Sequence, residues 1–275
     1  MDLNYAAAAP EIVLGLSICL VLLADVFLRD DQRNITYVLS MLVLIAVAAT
    51  AALLPVTSEV VTFNGAYVTD PAAAVLKMVA CVTLGVTFLY SREYLENNGL
   101  LKGEFFVLGL FGLLGVMIMV SAHSLLTLYL GVEVLALSQY TLVAFNRDSA
   151  TSAESAMKYF VLGAIASGVL LYGISLLSGI TGPLQLDTLA MRVATEPLSI
   201  PVLLALAFIV VGVAFKFGAV PFHMWLPDVY QGAPTPVTLF IGSVPKIGYF
   251  ALAWRVLVEG LGPVHDAGWR DMLID

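Results

Sequence analysis

Eight long apolar segments, separated by short polar stretches, dominate the hydrophobic pattern of the chain. A helix needs about 20 mainly apolar residues to cross the hydrocarbon core of a bilayer, and all but the shortest segments are long enough. The strands of a membrane β-barrel would instead alternate polar and apolar residues over about 10 positions, which these segments do not. The pattern therefore predicts an all-α polytopic membrane protein with about eight spans, at residues 11–28, 35–54, 71–90, 104–121, 124–145, 153–178, 201–218 and 238–258.

Residues that favour turns occupy the polar stretches between the predicted spans. Asn97-Asn98-Gly99 and Thr181-Gly182-Pro183 are two examples, since Asn, Gly and Pro interrupt regular helices. Residues 62–68, which read TFNGAYV, place Asn-Gly between residues that favour strands. This segment predicts a short β-hairpin before the third span.

Composition supports an integral membrane protein and excludes several other classes. Of the 275 residues, 60% are hydrophobic and 12% are charged, whereas soluble domains are about 25% charged. Little sequence remains for a globular enzyme domain with its own cofactor, and 12 basic against 20 acidic residues offer no basic face for nucleic acid. The sequence contains no metal-ligand spacing, phosphate loop or dinucleotide fingerprint, so we expect no metal or cofactor in this chain.

Basic residues in the short loops predict the orientation of the chain. Loops two, four and six carry a single basic residue, Arg192, whereas loops one, three and five carry five. Because Lys and Arg are enriched in cytoplasmic loops, the odd-numbered loops are expected to be cytoplasmic and the N-terminus outside. The five basic residues are Arg29, Arg33, Arg92, Lys102 and Arg147.

Glu133 is an ionisable residue near the middle of the fifth predicted span. A charged side chain at the centre of a membrane helix costs about 3 kcal/mol or more, so such residues usually have a partner or a function. Tyr129 lies one turn earlier on the same helical face, which would suit the interior of a helix bundle. Two interpretations remain open: Glu133 carries protons, or it is a protonated acid that joins neighbouring helices.

Two lysines lie beside prolines in the last two spans. Lys216 precedes Pro221, which should break or kink the helix and leave the carbonyl of Phe217 without its usual donor. Lys246 follows Pro245 close to the middle of the eighth span. Irregular backbone at membrane depth is tolerated where it is buried in protein or lines a wet cavity. Both lysines are therefore candidates for proton transfer, with snorkelling to the cytoplasmic interface as the alternative for Lys216.

Lys158 lies near the start of the sixth span, four residues after Glu154. That order is the stabilising one for a helical ion pair, and Thr151 with Glu154 fits a capping box. Two interpretations of Lys158 therefore remain open: it stabilises the start of the helix electrostatically, or it takes part in proton transfer.

Asp25, Lys77 and Arg255 lie near the ends of their spans, within reach of the lipid headgroups. Long charged side chains in such positions usually anchor a helix at the interface. We expect all three to do so.

Three segments resemble the antiporter-like subunits of NADH-quinone oxidoreductase, respiratory complex I. Residues 215–237, FKFGAVPFHMWLPDVYQGAPTPV, are similar to a signature shared with multisubunit cation/proton antiporters. Residues 128–140, LYLGVEVLALSQY, and 152–164, SAESAMKYFVLGA, resemble the subunit N branch in particular.

The resemblance implies that Glu133 and Lys216 form a charged pair between the fifth and seventh spans, and that the seventh helix is broken. It further implies that Lys158 modulates the pair and that Lys246 continues a hydrated path. Supporting roles are expected for Tyr129, Pro221, His223 and Pro245.

By the same resemblance, the function is proton translocation coupled to quinone reduction elsewhere in the complex. Flavin, iron–sulfur clusters and quinone would belong to partner subunits, with no cofactor here. The expected partners are other membrane-arm subunits, the lipid bilayer and protons, in a bacterial inner membrane. A cation/proton antiporter or membrane hydrogenase subunit and a non-conducting scaffold are the alternatives.

The resemblance also divides the chain into three regions. Residues 1–103 form a three-helix membrane segment, 104–262 a five-helix antiporter-like repeat unit, and 263–275 a loop leading to a second half. Family members continue through roughly fourteen helices, with a second five-helix repeat inverted against the first. We therefore expect a truncated sequence, or, as the weaker alternative, a split gene.

Overall fold

The computed structural model describes residues 3–29, 32–54, 58–195 and 199–262, which form ten α-helices and one β-hairpin. The last α-helix continues as a π-helix, Trp254–Gly260. The loop predicted at 263–275 lies outside the described residues. The α-helices are α1 Ala9–Phe27, α2 Arg33–Leu53, α3 Pro71–Asn97, α4 Gly103–Val120, α5 Leu125–Val143, α6 Ala150–Thr181, α7 Leu186–Thr195, α8 Ile200–Phe217, α9 Trp225–Gly232 and α10 Thr235–Ala253; the strands are β1 Val60–Thr62 and β2 Tyr67–Thr69.

Eight of the described helices are long and apolar enough to cross a membrane: α1 to α6, α8, and α10 with its π-helical continuation. They correspond to the eight predicted spans, which confirms the polytopic all-α fold. Hydrophobic pattern did not predict α7 or α9, which have 10 and 8 residues. The helix α7 is amphipathic, with Leu186, Leu189 and Val193 buried and Asp187 exposed.

Local sequence explains where several spans begin. Asp70 caps α3 by accepting a hydrogen bond from the Ala73 N–H at 2.6 Å, with Pro71 in the first turn. The capping box predicted with Thr151 as the N-cap is wrong, because α6 begins at Ala150, two residues earlier than that cap requires. Ser149 caps it instead and accepts from the Ser152 N–H at 3.3 Å.

The helix α4 forms the centre of the bundle. Its most apolar stretch is 72% buried, against 28% for that of α1 or α2. Glycines allow α4 and α5 to approach closely: a Cβ on Gly115 would lie 2.6 Å from the backbone nitrogen of Leu135. Small residues commonly permit such close crossings between membrane helices. The interior that α4 and α5 share with α10 therefore forms the core of the fold.

The predicted hairpin corresponds to β1 and β2, which pair antiparallel with Thr62 opposite Tyr67. Tyr67 also bridges to Ala122, in the connection from α4 to α5, and Ser124 bridges to Gln185. These contacts bring three connections to one face of the bundle, which we call the hairpin face. It lies opposite the α3–α4 and α5–α6 connections, because consecutive spans alternate in direction.

Candidate functional site

Lys216 lies in the last turn of α8, where the helix ends within the bundle. Its side chain is buried, with 3% of the residue exposed, and Nζ donates a hydrogen bond to Ser167 Oγ of α6 at 3.0 Å. The helix stops because Gly218 adopts a left-handed conformation with φ of 73° and because Pro221 follows. Because the Lys216 side chain is buried in protein, it does not snorkel to the membrane interface.

A turn at residues 218–224 separates α8 from α9 and leaves backbone groups for side chains to satisfy. Lys246 Nζ of α10 donates to the carbonyl oxygen of Phe217 at 3.0 Å. This is the carbonyl that Pro221 was predicted to leave without its usual donor. On the other side of Lys216, Trp225 Nε1 donates to the Phe215 carbonyl at 3.1 Å. The backbone break is thus held by one lysine and one tryptophan from other elements.

Pro245 does not interrupt α10, which runs continuously from Thr235 to Ala253. Lys246 is half-buried, and its ammonium points to the break after α8. The turn after α8 also contains Pro221 and His223, both of which are exposed. His223 therefore lies outside the buried part of the site.

Glu133 is half-buried on α5, and its Oε1 is fully enclosed without a hydrogen-bond partner among the described residues. By helical spacing, Tyr129 and Tyr140 lie on the same face of α5 as Glu133. The Lys216 ammonium bonds to Ser167 and not directly to the Glu133 carboxylate, so the Glu133–Lys216 pair stays a prediction. A buried acceptor without a donor is unfavourable, and ordered water is the usual partner of such a group, which makes Glu133 Oε1 a candidate for hydration.

Sequence analysis missed a polar group next to this pair. Gln139 of α5 is fully buried, and its Oε1 accepts hydrogen bonds from Tyr159 at 3.2 Å and from Tyr249 at 2.8 Å. The signal that could have revealed it was a glutamine deep in an apolar span. Ser167, the partner of Lys216, gave no such signal because serine is common in membrane helices.

Lys158 lies on the outer surface of the bundle, 46% exposed, and its ammonium is not brought to Ser167 or Glu133. Its Nζ lies 2.9 Å from Glu154 Oε1 and 3.4 Å from Asp228 Oδ2 of α9. Lys158 thus joins the start of α6 to the short helix that follows the break.

Lys77 does not anchor α3 at the interface, contrary to prediction. It is buried, and its Nζ lies 2.6 Å from Glu11 Oε1 of α1 and 3.0 Å from the Tyr67 hydroxyl. Burial and the neighbouring Glu11 carboxylate raise the pKa of Tyr67 on the hairpin. Because Glu11 is distant in sequence, the pattern along α3 gave no indication of this partner.

The interface roles predicted for Asp25 and Arg255 are also wrong. Asp25 is buried, forms an ion pair with Arg33 at 3.0 Å and accepts a hydrogen bond from the Thr36 hydroxyl. Arg255 is buried and bonds to Asp70 at the start of α3 and to the carbonyl of Val120. In each case the charged group joins elements inside the protein, so it has no need to reach the headgroups.

Within the described ranges, no three His, Cys, Asp or Glu side chains cluster in a way that could hold a metal ion. A carboxylate, two ammonium groups and several hydroxyls share the interior between α5, α6, α8 and α10. Such a set can transfer protons.

The chain is similar to known membrane-complex subunits along nearly its whole length. It is 53% identical over 273 residues to NADH-quinone oxidoreductase subunit N of Alkalilimnicola ehrlichii, covering 98% of this chain and 56% of the relative. A chain of respiratory complex I from Thermus thermophilus superposes with a TM-score of 0.75 at 30% identity, covering 90% of this chain and 52% of that one. The chain thus spans about half the length of the relatives it matches.

A chain of an archaeal membrane-bound sulfane sulfur reductase has the same fold, with a TM-score of 0.79 at 25% identity, covering 98% of this chain and 56% of that one. The family described as NADH:quinone oxidoreductase/Mrp antiporter, transmembrane, matches residues 122–266, slightly more than half of the chain. That region contains Glu133, Lys216, Lys246 and the helix break. The chain therefore belongs to the NADH:quinone oxidoreductase/Mrp antiporter transmembrane family.

Proposed function

We propose that the chain is a proton-translocating membrane-arm subunit of a NADH-quinone oxidoreductase, which moves protons through buried Glu and Lys side chains. The observation that carries the proposal is the position of Lys216. Its ammonium is buried at the end of a broken membrane helix, in a bundle interior that also contains an enclosed carboxylate oxygen of Glu133 with no hydrogen-bond partner among the described residues. Charged groups are expensive at that depth, so a functional role is the default explanation.

Proton transfer at this site would depend on the distance between the Glu133 carboxylate and the Lys216 ammonium. Burial favours the neutral form of an amine, whereas an approaching carboxylate favours its ammonium form. A displacement of α5 or α8 that brings Glu133 closer would hold a proton on Lys216, and the reverse displacement would release it. Because Ser167 already holds the amine in place, small movements suffice.

Lys246 would accept the proton next. It lies at the same backbone break, on the carbonyl of Phe217, the residue that follows Lys216. Release from Lys216 therefore places a proton close to a second amine, which can pass it onward along α10.

Lys158 would act indirectly, as a modulator. Its contact with Asp228 fixes α9, which begins directly after the break that Lys216 precedes. A change in this surface contact would shift the turn and hence the surroundings of Lys216.

The relatives' names support assignment of this chain to an enzyme complex, NADH-quinone oxidoreductase, that contains other subunits. We propose that flavin, iron–sulfur clusters and quinone bind to those subunits, and that this chain contributes proton transfer alone. The bacterial relatives and the eight candidate spans support a bacterial inner membrane location, and the distribution of basic residues in the short loops favours an N-terminus outside. An identity of about half to subunit N relatives, against 25% to the sulfane sulfur reductase chain, favours complex I over the alternatives.

Proton pumping by the assembled complex tests the proposal. We expect Glu133→Gln and Lys216→Ala to reduce NADH-driven proton uptake into inverted membrane vesicles, in complexes that assemble normally. Lys102→Ala is the matched control, because Lys102 is exposed in the α3–α4 connection. Normal pumping by both site variants would contradict the proposal and would favour a non-conducting scaffold.

A further inference from the structure

Gln139 is the centre of a hydrogen-bonded group that joins three spans. Its Oε1 accepts from the Tyr159 hydroxyl of α6 at 3.2 Å and from the Tyr249 hydroxyl of α10 at 2.8 Å. All three side chains are at most 4% exposed. The group is therefore enclosed by protein and lies inside the bundle.

One end of the Gln139 amide has no protein partner. As the side chain is placed, Oε1 serves both tyrosines and Nε2 is buried without an acceptor among the described residues. If the amide were turned over, the nitrogen would serve the hydroxyls and the oxygen would be unpaired. Since leaving a buried polar group unpaired is unfavourable, and ordered water is its usual partner, the amide is a natural binding site for one water molecule.

The group borders the break on both sides of Lys216. The ring of Tyr159 stacks on Trp225, with centroids 4.7 Å apart, and Trp225 bonds to the carbonyl of Phe215. The ring of Tyr249 packs against Phe217, with centroids 6.4 Å apart.

The same group also neighbours residues at both ends of the proposed proton transfer, Lys246 and Glu133. Lys246 bonds to the carbonyl of Phe217 and lies one turn before Tyr249 on α10. Tyr140 lies two turns after Glu133 on the same face of α5. Tyr140 in turn packs edge-on against Tyr159, with centroids 4.9 Å apart. Three tyrosines thus line the interior shared by α5, α6 and α10, beside the break after α8.

We propose that Gln139 is a positioning residue for proton transfer, whose amide holds the hydroxyls of Tyr159 and Tyr249 and one water molecule between Lys216 and Lys246. The inference rests on the function proposed above for the two lysines. During a transfer, each hydroxyl or water gives its proton to the next group and receives one from the group before it. The ammonium of Lys216 loses one proton and the neutral amine of Lys246 gains one, while the Gln139 amide keeps its own protons and only holds the water and the hydroxyls in position.

The test uses the full complex in inverted vesicles and compares Gln139→Leu, Gln139→Glu and Tyr249→Phe. We expect Tyr249→Phe to slow NADH-driven proton uptake about tenfold, the factor that corresponds to the loss of one hydrogen bond of about 1.4 kcal/mol. Gln139→Leu removes the acceptor of two hydrogen bonds and should slow uptake at least as much. Gln139→Glu retains oxygen acceptors for both hydroxyls and should recover most of the rate. Because it places an ionisable group beside the path, its rate should also become dependent on pH.

Tyr90→Phe is the matched control, since it removes the same hydroxyl from an exposed position on α3. Assembly is measured in parallel on native gels, and Tyr249→Phe preserves the ring packing if Gln139→Leu fails to assemble. Wild-type pumping by Gln139→Leu or by Tyr249→Phe would overturn the inference. So would equal impairment of Gln139→Leu and Gln139→Glu at every pH, which indicates a structural role. Lys216→Ala, run beside them, separates the two proposals, because normal pumping by that variant refutes the function proposed for the lysines themselves.

Discussion

At the residue scale, lysine side chains inside the bundle each bond to a particular partner. Lys216 binds a serine hydroxyl, Lys246 a backbone carbonyl, and Lys77 a carboxylate together with a tyrosine hydroxyl. The ion pair of Lys77 already neutralises its charge, and such pairs hold elements together. Lys216 and Lys246 have neutral partners at hydrogen-bond distance, so the electrostatics of their surroundings can decide whether they hold a proton.

We predict that Lys77→Met destabilises the protein, because it leaves Glu11 buried without its partner. Removing one member of a buried ion pair typically costs about 3–5 kcal/mol. Thermal unfolding of the purified complex, followed by loss of this subunit, measures the effect. The exposed Lys102→Met should leave the unfolding temperature unchanged, and a second substitution, Glu11→Gln, should recover part of the loss. A Lys77→Met complex as stable as the wild type would contradict the ion-pair role.

The sequence predicted some of these residues and not others, for a physical reason. Pro221 removes a backbone donor at a fixed spacing, so the free carbonyl of Phe217 could be derived from the chain itself. Lys77 and Arg255 find partners in elements that are remote in sequence, Glu11 and Asp70. Spacing along one helix cannot identify such partners, so the interpretation of these residues as interface anchors was wrong.

At the element scale, hydrophobic runs were sufficient to predict the spans but not the short helices between them. A span is specified by about 20 apolar residues. The helices α7 and α9 are too short for that signal and are held by tertiary contacts. Trp225, for example, begins α9 and is fixed by its bond to the Phe215 carbonyl and its stacking on Tyr159. The short helix α9 thus depends on the break that precedes it.

We predict that Lys158→Met reduces proton pumping less than Lys216→Ala does, because its effect passes through the position of α9. Lys158→Arg should restore pumping, since it keeps a cation within reach of Asp228. NADH-driven proton uptake in inverted vesicles measures both variants. Arg29→Met, which removes an exposed basic residue distant from α9, is the control. If Lys158→Met abolished pumping as fully as Lys216→Ala and Lys158→Arg failed to restore it, Lys158 would be a proton carrier.

At the scale of the whole molecule, apolar surface and buried charge are separated. The most apolar stretches of α1 and α2 are largely exposed, as expected for helices that face lipid or other subunits, whereas α4 is largely enclosed. The polar groups of the candidate site lie between α5, α6, α8 and α10, away from α1 and α2. The polar groups of the candidate site thus lie within residues 104–262, the region in which an antiporter-like repeat unit is predicted.

We predict that the hairpin face lies on the outer side of the inner membrane and that the α3–α4 connection lies on the cytoplasmic side. After Cys19 and Cys81 are replaced by serine, Asn64→Cys should react with a membrane-impermeant maleimide in right-side-out vesicles. Asn98→Cys should react with the same reagent in inverted vesicles. Each variant in vesicles of the other orientation is the control and should not react. The opposite labelling pattern would show that the basic residues do not set the orientation as the positive-inside rule implies.

The most direct test of the central claim is whether Glu133 and Lys216 act as one unit. The measurement is the initial rate of NADH-driven proton uptake in Glu133→Gln, in Lys216→Ala and in the double variant, each corrected for assembled complex. Residues that act together give non-additive effects. We predict that the double variant pumps no more slowly than the worse single variant. Independent, multiplying losses would contradict the account.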